Sequence, residues 1–159
     1  LTIGLSYLIC HYDFQTNFDI FTTDIIYYFF NEEYHKLLCL LDQRDTLLKH
    51  DQYQQQVSDN FEDFWSLYKA IALYNLQQYD SAISILKSDD ADTKFMALAD
   101  VSIHAQKYTY LALNEERLGN DKSACDYIIK AMDMIESIPS NHFTQITEQT
   151  YERIINKSL

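Results

Sequence analysis

"ALYNLQQYDSAISIL", residues 72–86, carries an apolar helical pattern up to Leu76, breaks at Gln77 and Gln78, and starts a second helical pattern at Tyr79. Upstream, Phe61, Phe64, Trp65, Tyr68, Ile71 and Ala72 recur at three- and four-residue steps, the stripe of a helix that buries one face. Downstream, Ala82 turns back toward that stripe. Two further corners have the same form. "NEEYHKLL" (31–38), "LQQYDSAI" (76–83) and "LGNDKSAC" (118–125) each follow an aromatic-rich helix and open a second one, with Tyr34, Tyr79 and Asp121 in equivalent places. The separations are 45 residues from Tyr34 to Tyr79 and 42 from Tyr79 to Asp121, within the range of helix-pair repeats. A single helix pair cannot cover its own apolar face, so each stops, turns back and offers a second helix on which a neighbour stacks.

Composition points the same way. The 159 residues contain only two glycines and one proline, so tight hairpins and glycine-rich phosphate loops lack their raw material. A hydrophobic content of 47% with 13 tyrosines and nine phenylalanines supplies a core, and one helical domain over 1–159 is the expected arrangement. The helix pairs are expected at 18–50, 58–88 and 92–137, with a terminal helix over 141–157, about seven or eight helices in all. The 92–118 stretch meets no breaker before Gly119, so it reads as one long helix or two joined at a kink. Asp59 with Glu62 is suited to cap the helix that follows, and the acids at 89–92 suit a helix start.

The formal charge of −12 gives a summed field that repels phosphate backbones and anionic membranes, so nucleic acid and membrane are not expected partners. Cys10, Cys39 and Cys125 form no CxxC and leave an odd thiol, which suits a reducing cytoplasmic setting. "LTIGLSYLIC" is too short to span a bilayer and is read as helix. The chain begins at Leu1 inside that apolar stretch, which suggests a piece of a longer protein.

The 67–86 segment, "LYKAIALYNLQQYDSAISIL", resembles a tetratricopeptide repeat, with Ala70 and Ala82 at its small-residue positions and Tyr79 at the turn. "YTYLALNEERLGNDKSACDYIIKA" resembles it again through Tyr108, Leu111, Ala112, Gly119, Ala124 and Ala131. In the first pair Ile25 and Leu37 take the small-residue positions, no proline follows near Lys87, and the spacing exceeds the 34-residue repeat norm. Stretched repeats of this kind are similar to the C-terminal halves of Rgg-type peptide-pheromone receptors. That resemblance implies an all-α, right-handed solenoid of degenerate tetratricopeptide-like pairs. It further implies a short peptide or protein segment held in a concave groove, homodimerisation, and a DNA-binding head on a longer parent chain.

On that pattern the groove is lined by Ile26 and Phe30, with Thr22 and Phe29, from the first pair. The second pair contributes Phe64, Leu67, Ile71, Tyr74 and Asn75. Thr109, Leu113 and Arg117, with Gln106 and Glu116, come from the third. Aromatic walls would hold apolar side chains, and the Asn75 amide both donates to and accepts from a peptide backbone. The alternative is that these stripes pack on further helices or on a second copy. Lys69, Lys107 and Arg117 are candidates for a terminal carboxylate, against the plainer reading of solvated or paired cations. Glu32 and His35 have a spacing used in di-iron bundles, but no second copy occurs, and neither a cofactor nor a metal is expected. No nucleophile–base or metal-hydrolase motif occurs, so the chain is not read as an enzyme. The rival to the receptor reading is a structural adaptor whose groove is filled by a folded partner or by its own terminal helix.

Overall fold

A computed structural model describes the backbone over residues 23–48, 62–87 and 98–158, and side chains over 23–46, 65–87 and 101–157. Seven helices and no strand occur among the described residues, so the chain is all-α there. Helix α1 occupies 23–30 and α2 Tyr34–Leu48; then follow α3 Glu62–Asn75, α4 Tyr79–Lys87, α5 Leu98–Arg117, α6 Asp121–Ile135 and α7 His142–Ser158. The stretch before Gly119 is therefore one continuous helix from Leu98. The N-terminal apolar segment, Phe18, Phe21, Thr22, the Asp59 cap, the acids at 89–92 and the side chains of Leu47, Leu48 and Phe64 lie outside the described residues.

The chain divides after Gln54 into two compact units. In the first, Ile25 of α1 is buried, as are Leu37, Leu40 and Leu41 of α2. Lys36 pairs with Glu33 and sits 5.3 Å from the centre of the Tyr28 ring, tying the start of α2 to α1. In the second unit each helix packs on the next, and α5 also packs on both α3 and α7. Helices α3, α5 and α7 thus lie in sequence against one another, with α4 packed on α3 and α5, and α6 on α5 and α7.

The local causes are visible in the side chains. Ala82 and Leu86 of α4 are buried one turn apart, with Asp80 in the first turn and Lys87 in the last, each matching the helix dipole. Ala124, Ile128, Ala131 and Ile135 form the buried stripe of α6. Helix α7 starts from a reciprocal cap. Asn141 Oδ1 accepts from the amides of Phe143 and Thr144 (2.8 and 3.2 Å), and the Asn141 amide donates to Thr144 Oγ1 (2.9 Å). Its Ile154 joins Ala112, Ala124, Ile128 and Ala131 in one cluster, with Tyr151 and Ile155 packed alongside.

The three corners share one backbone design. Glu32, Gln77 and Gly119 all take positive φ, at 58°, 61° and 78°. In each the amide of that residue donates to the carbonyl three residues back, to Phe29, Tyr74 and Glu116. The next amide donates five back, to Tyr28, Leu73 and Glu115, so each corner is a Schellman stop. The next helix then opens identically: the amides of Leu37, Ala82 and Ala124 donate to Glu33, Gln78 and Asn120. Burial repeats as well. Ile25, Ala70 and Ala112 before the stop, and Leu37, Ala82 and Ala124 after it, are all 0% exposed.

Candidate functional site

The corner between α3 and α4 holds two of the groove residues, Tyr74 and Asn75, and Arg117 of α5 reaches it. Tyr74, in the last turn of α3, has its ring centre 5.8 Å from that of Tyr79, the first residue of α4, and 5.8 Å from that of Tyr110 on α5. Arg117 Nε, at the end of α5, donates to the Tyr74 hydroxyl at 3.4 Å. That bond is the chief reason the guanidinium is held above its ordinary pKa. Asn75 is exposed and uses its Nδ2 on the Ile71 carbonyl at 2.8 Å. Arg117 and the rings of Tyr74, Tyr79 and Tyr110 therefore meet at one rim, with Asn75 exposed next to Tyr74 in the chain, and such a rim can offer charge, ring faces and hydrogen bonds to a partner segment.

The remaining groove positions are engaged differently. Leu67, Ile71 and Leu113 are buried in the packing of the second unit. Thr109 is buried too; its hydroxyl lies 2.8 Å from both the Ala105 carbonyl and the Thr147 hydroxyl of α7. Glu116 is bonded by Arg153 of α7 at 2.6 Å, while Gln106 is half-buried and donates to Ser102 at 3.4 Å. The terminal helix therefore occupies part of the α5 face assigned to a ligand. For Phe64 only the backbone is described, within α3. In the first unit Ile26 and Phe30 are exposed, Phe30 at 70%, and Phe29 is half-buried with its ring centre 5.6 Å from that of Phe30.

Of the three candidate carboxylate binders, Arg117 is on the rim. Lys69 is half-buried, and Lys107 is buried beside a pocket that it shares with Lys87 and Lys130. Glu32 serves as the positive-φ residue of the first corner, and among the described residues no three His, Cys, Asp or Glu side chains cluster to hold a metal.

Tyr110 and Asn114 are participants that the sequence pattern did not single out. Asn114 is fully buried; its Nδ2 donates to the Tyr110 carbonyl at 2.6 Å, and its Oδ1 has no hydrogen-bond partner. The available signal was an asparagine in an otherwise apolar-to-acidic helical run, "LALNEER". The chain matches no family model, no curated protein and no solved structure.

Proposed function

We propose that this chain is a non-enzymatic helical-repeat module that binds a peptide or protein segment, in a right-handed tetratricopeptide-like stack. What supports this reading is the threefold recurrence of one corner, with the same backbone stop and the same buried positions, as expected of a helix-pair repeat. The side-by-side packing of α3, α5 and α7 supports it further. The rim of Tyr74, Asn75 and Arg117 is the contact surface we assign to the segment. On the resemblance stated above, the module is the ligand-sensing and dimerisation part of a cytoplasmic transcriptional regulator. Peptide binding would then shift the population of helix-stack curvatures. None of the described helices is long and apolar enough to cross a membrane.

A specific contact favours a second reading. Because Thr147 of α7 lies against Thr109, part of the expected groove is filled by the chain itself, as in an adaptor that presents a rim to a folded partner. The two readings separate on an array of immobilised short peptides probed with the whole chain. Saturable binding to apolar peptides, reduced about tenfold by Asn75→Ala or Arg117→Ala, is the outcome expected of the receptor reading. Binding confined to folded proteins, with the same dependence on Arg117, would transfer the assignment to the adaptor. Loss of neither kind in these variants would remove the rim from the proposal.

A further inference from the structure

Acids and cations pair off around the end of α5. Glu115 Oε1 accepts from Lys87 of α4 at 3.1 Å, and its Oε2 accepts from Asn120 at 2.7 Å. Glu116 is held by Arg153 of α7 at 2.6 Å, and Asp121, the first residue of α6, accepts from Lys157 at 3.2 Å. Asp80 lies in the first turn of α4, where it complements the positive end of that helix. Arg117 differs from its neighbours: among the described residues no carboxylate is bonded to it, and its Nε donates to the Tyr74 hydroxyl at 3.4 Å. Its two Nη groups remain, a flat two-pronged donor at an exposed position. Tyr74, Tyr79 and Tyr110 are each half-buried, so part of every ring in the cluster beside Arg117 stays open.

We propose that the segment bound at this rim presents an aspartate or glutamate side chain next to an aromatic residue, the carboxylate on Arg117 and the ring on the tyrosines. This rests on the segment-binding reading above and names the chemistry of the segment. The arginine fork matches a planar carboxylate with two parallel hydrogen bonds. A phosphate dianion would call for more positive charge than one guanidinium, and the cations nearest in the fold are engaged by Glu115, Glu116 and Asp121. Partly open tyrosine rings favour an incoming ring edge-on or offset. The residues after Tyr74 and Arg117, Asn75 and Leu118, are exposed, so a segment continues past the rim instead of ending in a recess, and its carboxylate comes from a side chain. The overall charge of −12 does not exclude an acidic segment, because salt at about 0.15 M screens exposed charges beyond about 8 Å, while Arg117 stands at the contact itself.

The probes are two fluorescently labelled octapeptides of glycine and serine, blocked at both ends, with Phe-Glu or Phe-Gln at the centre. They are titrated into the whole chain by anisotropy at about 0.15 M salt. The Phe-Glu peptide should bind saturably and about fivefold more tightly than the Phe-Gln peptide. Arg117→Gln should erase that ratio, whereas Lys122→Gln, an equal loss of charge at an exposed position of α6, should preserve it. Failure of the Phe-Glu peptide to saturate, equal binding of the two peptides, or a ratio that survives Arg117→Gln would each overturn the proposal. So would a Phe-Gln peptide with a free C-terminus that matches Phe-Glu, since the carboxylate would then belong to a chain end. Array peptides that bind through Arg117 with no preference for an acid would sink this inference and leave the segment-binding reading standing; an array that captures nothing would sink both. Both substitutions are at exposed sites, and far-ultraviolet circular dichroism verifies that the fold is retained.

Discussion

The first corner, around Glu32, and the third, around Gly119, share their backbone bonds but not their filling. Between α1 and α2 the equivalent buried positions hold Ile25 and Leu37; between α5 and α6 they hold Ala112 and Ala124. The second corner, with Ala70 and Ala82, follows the third. Helix stops are thus set by backbone bonding that many side chains permit, whereas the helix–helix contact depends on side-chain volume. Interaxial distance follows the residues at the contact, so the first pair is filled by bulk and the later pairs by close approach.

That contrast is broken most severely by shrinking the first pair. Leu37 is fully buried, so Leu37→Ala should leave a cavity and cost about 2–5 kcal/mol, read in denaturant unfolding and in faster amide exchange across α1 and α2. If the first corner were built like the third, an alanine there would be tolerated within about 1 kcal/mol, and the contrast would fail. The opposite change tests the other side. Ala112→Leu inserts volume into the cluster of Ala124, Ile128, Ala131 and Ile154, and should cost about 1–3 kcal/mol through overpacking. Unchanged melting would mean that α5 and α6 do not approach through these alanines.

The helices, their order and the three corners were legible because periodicity and repetition depend on local sequence. Ala70, Ala82, Ala112 and Ala124 mark contacts for the same reason: a small residue at a repeating position has few other causes. Which face of α5 would remain open was not legible. Periodicity assigns Thr109 and Leu113 to a face, but whether a ligand or α7 covers that face depends on contacts such as Thr147 to Thr109, across 38 positions. The lysine pocket was hidden for a similar reason. Lys87, Lys107 and Lys130 belong to three helices, and of them the sequence pattern singled out Lys107 alone, as a candidate for a terminal carboxylate. Arg117 could be named from the repeat pattern, but its bond to Tyr74 required the fold.

The backbone stop itself separates the corners a second time. Gly119 holds its φ of 78° without steric cost, and a Cβ built there would meet nothing within 4 Å. Gly119→Ala should therefore cost about 1–2 kcal/mol from left-handed backbone strain alone, with no repacking of neighbours. A smaller loss, measured by thermal unfolding, would show that Leu118 to Asn120 can relax into another turn.

Glu32 and Gln77 carry the same conformation without glycine's freedom, so the effect should reverse there. Gln77→Gly relieves strain at φ 61° and forfeits only an exposed side chain, but it also loosens the unfolded chain, leaving a gain of about 0.5–1 kcal/mol. Glu32→Gly should add a pH signature that Gln77→Gly lacks. Tyr34 has its pKa raised first by burial and then by the Glu32 carboxylate. A raised phenol favours the folded state's protonated form, so its contribution is constant below about pH 10, where the unfolded tyrosine is also protonated. As pH rises further, the unfolded chain ionises first and stability falls until the folded Tyr34 ionises as well. Removing Glu32 lowers the folded value toward the ordinary one and should make that alkaline loss smaller, whereas Gln77, being uncharged, leaves it unaltered. Stability measured against pH in the two glycine variants separates strain relief, common to both, from the electrostatic contribution that belongs to the first corner.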